Sequence, residues 1–420
     1  MIGEIIAIGD ELTTGRIVNT TSGFAASQLF AAGHDIFAMQ TIGDTPSLIG
    51  EALIRAVERV DFVIVTGGLG ATSDDLTNEA VSEALKRPRI VYPEIIKQIQ
   101  PRMQGNANDI EILQKLAWLP EGAEVLNVES KMAGYLLVYE CTPIFCLPGV
   151  PGQMKKLFVE HVLPFLAGWT HDNRNHFRQR IYRTFGLSEN MINRQFRELE
   201  NIPGIRIGYY PVDSEVHVSL TVSGTVQGES ENLFLEIDGI ITALLGEKLY
   251  GFDQDTMASV VGGILRQNGL HMSVAESCTG GMIGSKITEV AGSSEWFVGG
   301  VIAYSNELKE LFLGVDKDLL SAYGAVSAQA ARAMAEGIAA KTGSPVSLSV
   351  TGYAGPAGGT PEKPVGTVHI GLVVKGRTSD YHYHFTGSRQ EIQEMTAQTA
   401  LNQVRLSLLM HKGDKNGRSD

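Results

Sequence analysis

Cysteine is scarce in this 420-residue chain: Cys141, Cys146 and Cys278 are the whole complement, with no C-x-x-C pair and no histidine-rich companion. That excludes a disulfide framework and a thiolate-based structural zinc site. It predicts a reducing, cytoplasmic setting. Positive charge is also short, since 34 Lys and Arg face 47 Asp and Glu for a formal net charge of −13. Direct nucleic-acid binding and attraction to an anionic membrane surface are therefore not expected. No uninterrupted apolar run approaches the roughly 20 residues of a membrane span. The opening "MIGEIIAIGDEL" carries acids where an export signal needs a basic segment. Neither export nor anchorage is expected, and small molecules are the expected partners.

What the chain has in excess is glycine, 47 residues gathered at the ends of apolar runs, where backbone can approach a ligand closely. The length predicts two or three domains. "GEIIAIGDEL", "TTSGFAASQLFAAGHD", a strand near Ile36 to Ile42, a helix over Ser47 to Glu58 and the strand "DFVIVTGG" read as βαβαβ, the grammar of an open parallel α/β sheet. "LVYECTPIFCLPGVPGQMKKLF" adds a hairpin-like pair, a turn and a helix. The texture predicts a first domain over 1–170. A small α+β module follows over 175–250, with "EVHVSLTVSG" as an exposed antiparallel strand. A second α/β domain spans 255–411, its last helix running Arg389 to Leu409, and a disordered tail covers 412–420.

In "AESCTGG" (Ala275 to Gly281) a strand ending at Glu276 and a helix beginning near Thr279 put Ser277 and Cys278 at a helix N-terminus, where free N–H groups stabilise anions. Gly280 and Gly281 admit a substrate to the backbone. Simple helix capping by Ser277 or Thr279 is the competing reading. "VIAYSNELKELFLG" places Tyr304 and Asn306 at a strand end and Lys309 one helical turn on. A lysine in a dry site can deprotonate a serine, whereas a solvated one cannot. The loop "TGYAGPAGG" (Thr351 to Gly359) follows a strand and lacks both a Walker lysine and G-x-G-x-x-G. A phosphate-bearing ligand and a tight structural loop are both compatible with it. In the first domain "TGGLGATSDDLT" offers Asp74 and Asp75, with Asp10, Glu11 and Asp44 as further acids for a hard metal. Capping of the next helix by Ser73 or Asp74 is the alternative.

Taken together, "AESCTGG", "AGSSEWFVGGVIAYSNELKELFLGV", "GAVS", "TGYAGPAGG" and "KPVGTV" resemble the C-terminal domain of the CinA family (competence/damage-inducible protein A). "EIIAIGDELTTGRIVNT", "IGD", "TGGLGATSDDLT" and "LPGVPGQMKKLF" resemble its N-terminal domain, and "TFGLSEN" matches the family's middle module. The resemblance implies a molybdopterin-binding-like three-layer domain, the α+β module and an α/β deamidase domain. It implies hydrolysis of the carboxamide of nicotinamide mononucleotide (NMN) to nicotinate mononucleotide and ammonia, in pyridine-nucleotide salvage and without a cofactor. Ser277 falls on the nucleophile, with Tyr304 and Lys309 as its catalytic companions. Cys278 is the rival nucleophile, although no histidine lies in its motif. Substrate contacts fall on Thr279, Gly280, Gly281, Asn306, Thr351, Gly352, Gly355, Gly358 and Arg389.

For the N-terminal domain the resemblance implies an ADP-ribose pyrophosphatase using Mg, Mn or Co. Asp44, Asp74 and Asp75 would hold the metal, and Asp10, Gly67, Gly68, Gly70 and Thr77 the nucleotide. A homodimer is implied as well. The departures are specific. Relatives carry proline and histidine at Ala71 and Ser73, asparagine at Thr21, and Gly-Asp-Arg with a second arginine where this chain has Gly387, Ser388, Arg389 and Gln393. An inactive N-terminal domain, a decayed scaffold in competence or DNA-damage responses, and a molybdenum-cofactor binder are the alternative readings.

Overall fold

The apolar run Ile2–Ile8 has no face to offer water, and it becomes an interior strand, β1, with six of its seven residues buried. The computed structural model describes residues 1–99, 112, 115–126, 134–169, 176–224 and 227–416. β1 pairs in parallel with β2 (Asp35–Ile42) and β3 (Phe62–Thr66), completing the βαβαβ grammar. β4 (Arg89–Val91) and β5 (Trp118–Pro120) form a separate antiparallel pair. With β6 (Glu124–Val125), β7 (Tyr135–Tyr139) and β8 (Thr142–Leu147) the main sheet has the order β2-β1-β3-β8-β7-β6. β3 and β8 are parallel, and the hairpin β7/β8 is antiparallel. Alternate side chains divide between two cores. Ile6, Ile8, Val63 and Val65 pack with the helices Pro46–Val57 and Thr77–Ala84. Ile5, Phe62 and Ile64 pack with Thr20–Ala31 and Pro151–Leu157. The result is the three-layer domain that the family resemblance implies.

Gly67, the residue after β3, has φ +107°, and a Cβ there would stand 2.1 Å from the carbonyl oxygen of Ile8. The ends of β1 and β3 can neighbour each other only without that atom. Gly67→Ala is expected to destabilise the N-terminal unit by about 3 kcal/mol through combined strain and collision. Calorimetry of the full chain checks this, as a lowered transition for that unit alone.

A second compact unit is built from the described residues of 179–222 and 231–416. Its first part is a sheet of β9 (His176–Phe185), β10 (Ile205–Val212), β11 (Glu215–Gly224) and β12 (Leu249–Phe252), in the order β10-β11-β9-β12. β11 is not the exposed strand that its alternation suggested. It lies between two neighbours, with Val218 to Val222 all buried. Its apolar face packs on Phe234, Ile237 and Ile241, and the alternate residues Ser219 and Thr221 are small enough to be covered as well.

The second part holds β13 (Met272–Glu276), β14 (Phe297–Ile302), β15 (Val346–Gly352), β16 (Thr367–Val374) and β17 (Arg377–His384), in the order β14-β13-β15-β16-β17. The first three are parallel, and the last two join antiparallel. One face packs on the helices Met257–Gln267 and Arg389–Asn416. The other packs on the alanine-rich helix Ala328–Thr342, which Ser347 and Ser349 approach closely enough to donate to the carbonyls of Ala335 and Ala331. The last helix extends past Leu409, through part of the expected disordered tail, to Asn416. No proline interrupts it, and its lysines are good helix formers; residues 417–420 lie outside the described residues. Among the described residues no helix is long and apolar enough to cross a membrane.

Candidate active site

β13 is the central parallel strand and delivers Ser277 at its C-terminal end, the edge where α/β sheets place their ligands. The Ser277 amide still pairs with β15, donating to Val350 at 3.1 Å. The chain then turns through Gly280 (φ +61°) and Gly281 (φ +101°), and the helix begins at Met282 rather than near Thr279. The cause is Glu276. Its carboxylate, 2% exposed, accepts from the Thr279 hydroxyl (2.7 Å) and the amides of Gly281 (3.0 Å), Ile283 (3.1 Å) and Gly284 (2.8 Å). The helix N-terminus therefore serves an internal anion, not the substrate. The Thr279 hydroxyl and the Gly281 amide, expected on the substrate, are bound to Glu276; Gly280 faces open space.

Neither capping reading survives this geometry. The Ser277 hydroxyl lies 3.1 Å from Nζ of Lys309, which also donates to the carbonyls of Ala303 (2.8 Å) and Tyr304 (3.4 Å). Lys309 is 1% exposed, so it is not a solvated surface lysine. Burial holds its ammonium below the ordinary lysine value, against the opposing influence of Cys278 and Glu307. Cys278 belongs instead to the buried apolar core of this domain. Burial pushes its thiol up to about 12, the opposite of what a thiolate nucleophile requires.

Around this pair, Arg389 bridges two elements. Its Nη1 donates to the Gly355 carbonyl (2.6 Å) and its Nη2 to the hydroxyl of Tyr304 (2.8 Å). The Tyr304 ring is exposed, and its phenol meets Arg389 rather than Ser277 or Lys309. Asn306 is exposed at the first position of the helix Asn306–Leu313, which Ser305 caps. Thr351 is buried and donates to the Ala325 carbonyl (2.8 Å), so its hydroxyl ties the loop to the "GAVS" segment. Gly352 packs on the Thr367 carbonyl and Gly355 on Val365, while Gly358 lies beside Tyr353. Lys363 secures the same loop from the carbonyls of Val326 (2.7 Å) and Tyr323 (3.0 Å). Gln393 donates to the Cys278 carbonyl at 2.7 Å. The roles of Glu276, Lys363 and the Gln393 contact were missed from sequence. Glu276 alone carried a signal, as an acid closing an otherwise apolar strand.

The N-terminal acids gather without forming a ligand set. Asp10 and Asp44 exchange bonds, each amide donating to the other's carboxylate (2.8 and 3.1 Å). Burial, aided by repulsion from Asp10, Glu11 and Asp74, raises the Asp44 carboxyl against the pull of the Asp10 amide. Asp75 accepts from both the amide (2.8 Å) and the hydroxyl (2.5 Å) of Thr72, and Gly70 lies against that carboxylate. Asp74 is held below the usual carboxylate range by the Thr72 hydroxyl, its own amide and Lys115. Lys115 also donates to the carbonyls of Thr72 and Asp75. Thr77 turns its hydroxyl to the Gly67 carbonyl (2.9 Å) and its amide to that of Gly68 (3.1 Å). Among the described residues no group of three or more His, Cys, Asp or Glu converges on a metal position. The expected set of Asp44, Asp74 and Asp75 is not assembled, because the loop's own donors claim Asp75 and the strand ends claim Asp44.

Three family models match consecutive segments: "Probable molybdopterin binding domain" over residues 4–168, "Damage-inducible protein CinA KH domain" over 179–251 and "CinA C-terminal domain" over 254–408. The middle segment contains no G-x-x-G, the loop with which KH domains clamp a nucleic-acid backbone. A CinA-like protein of Desulfotalea psychrophila is 53% identical over 97% of this chain and 98% of its own length. Another, of Syntrophobacter fumaroxidans, is 38% identical over 95% and 94%. A crystal structure of a competence or damage-inducible protein from Enterobacter asburiae aligns at 29% identity over 37% of this chain and 99% of its own, with a TM-score of 0.36. The chain belongs to the CinA family.

Proposed function

We propose that the C-terminal domain is a serine amidase acting on the carboxamide of NMN. The observation that carries this reading is the 3.1 Å contact between Ser277 Oγ and Nζ of the buried Lys309. Neutral Lys309 takes the Ser277 proton as Oγ attacks the carboxamide carbon. The carbonyl π pair moves to oxygen. The amides of Ser277, Gly280 and Gly281 are already bonded to Val350, Ser277 and Glu276, which leaves those of Cys278 and Thr279 as donors for the oxyanion. The Lys309 ammonium returns its proton to the departing nitrogen, the C–N bond breaks, and ammonia leaves an acyl-serine ester. Water then attacks the ester with Lys309 again as base, and the proton restores the Ser277 hydroxyl as nicotinate mononucleotide departs.

Arg389, held between Tyr304 and Gly355, is the cation of this reading for the substrate phosphate, and Gln393 supplies no second charge. Arg389→Ala is expected to raise KM for NMN about tenfold with kcat within threefold, the signature of lost uniform binding. Equal kinetics in the variant would remove Arg389 from the substrate site. No phosphoanhydride step is assigned to the N-terminal unit, because among the described residues its carboxylates converge on no metal position.

A further inference from the structure

We propose that Glu276 is the positioning residue of this site, a buried carboxylate whose four hydrogen bonds hold residues 277–284 in the one turn that brings Ser277 to Lys309. The inference rests on the reading of Ser277 as nucleophile. A carboxylate this deeply buried is costly unless its lone pairs are filled. Oε2 accepts from the Thr279 hydroxyl and the Gly281 and Ile283 amides, and Oε1 accepts from Gly284. These are charge-assisted bonds at the positive end of a helix. They draw the helix start back to Met282 and leave the preceding five residues as a turn. Gln393 holds that turn from its other side, through the Cys278 carbonyl.

Glutamine cannot replace the carboxylate. In either orientation its NH₂ group faces donors, and one or three of the four bonds are lost. Without them, only the Gln393 contact and the two glycines still favour the turn over a helix that starts earlier, and such a helix would carry Ser277 Oγ away from Nζ of Lys309.

The test compares the full-length chain with Glu276→Gln, Glu276→Asp and Thr279→Val in two assays. One is NMN hydrolysis; the other is the rate at which a serine-reactive fluorophosphonate labels Ser277, read as a mass shift on its peptide. Glu276→Gln is expected to lower kcat about 100-fold with KM within threefold, and to slow labelling in parallel. Glu276→Asp should recover part of both rates, because it retains the charge. Thr279→Val, which removes one bond of the four, should cost about tenfold; it decides the matter if Glu276→Gln does not fold. Rates within threefold of the unmutated chain would overturn the proposal. So would losses that equal the fall in the folded fraction measured by near-ultraviolet dichroism. A chain that takes the phosphonate at Ser277 but releases no ammonia from NMN would end the deamidase reading and leave the labelling rates to judge Glu276. A chain whose Ser277 takes no phosphonate would overturn both.

Discussion

Replacing Lys309 with methionine is expected to lower kcat/KM for NMN by about 10³-fold, some 4 kcal/mol of transition-state stabilisation. The substitution keeps the unbranched shape and the burial but removes the group hydrogen-bonded to the Ser277 hydroxyl. Lysine works as a base only when neutral, and burial has shifted Lys309 toward that form. The pH profile follows in sign. Because the lysine is lowered, log kcat/KM of the unmutated chain should rise with unit slope at low pH and level off below 10.5, the ordinary lysine value. Lys309→Met should leave a profile without that limb. A limb that levels off only above 10.5, or one that persists in the methionine variant, would mean that another group removes the proton.

The second large effect separates two adjacent residues. Ser277→Ala is expected to abolish turnover by at least about 10⁴-fold, since the covalent route is lost entirely. Cys278→Ala should retain kcat within about fivefold. The thiol belongs to the buried apolar core, and burial keeps it protonated. The Cys278 variant should instead lose stability, by about 1 kcal/mol for the small cavity created in a packed core. Thermal denaturation beside steady-state kinetics measures both. Activity lost in Cys278→Ala and kept in Ser277→Ala would reverse the assignment.

The ease of reading the sequence differed from one feature to the next. The parallel cores were plain in it, because strands such as Phe62–Thr66 are buried throughout and leave no polar residue to mislead. β11 was misread because Ser219 and Thr221 are polar by type yet small enough to bury. The family resemblance offered Lys309 as a companion of Ser277, and the two do meet, but the burial of Lys309 did not follow from it. Lysine is almost always solvated, and only the carbonyls of Ala303 and Tyr304, with the turn above, make a dry place for it. Glu276 was passed over for the same reason. Its partners are backbone amides, which every residue possesses and no side-chain pattern reveals. At the N-terminal site the sequence offered Asp10, Glu11, Asp44 and Asp74 as acids for one sheet edge, and Asp10, Glu11 and Asp74 each help to raise the Asp44 carboxyl. It could not show that Thr72 would claim Asp75.

On the proposed reading, Ser277 and Lys309 hydrolyse a carboxamide without a metal. The most direct measurement is ammonia release from NMN by the full-length protein after exhaustive treatment with EDTA, with nicotinate mononucleotide quantified beside it. The two products are expected in equal amounts, undiminished by the chelator and absent with Ser277→Ala. No ammonia at millimolar NMN, or release that survives Ser277→Ala, would contradict it.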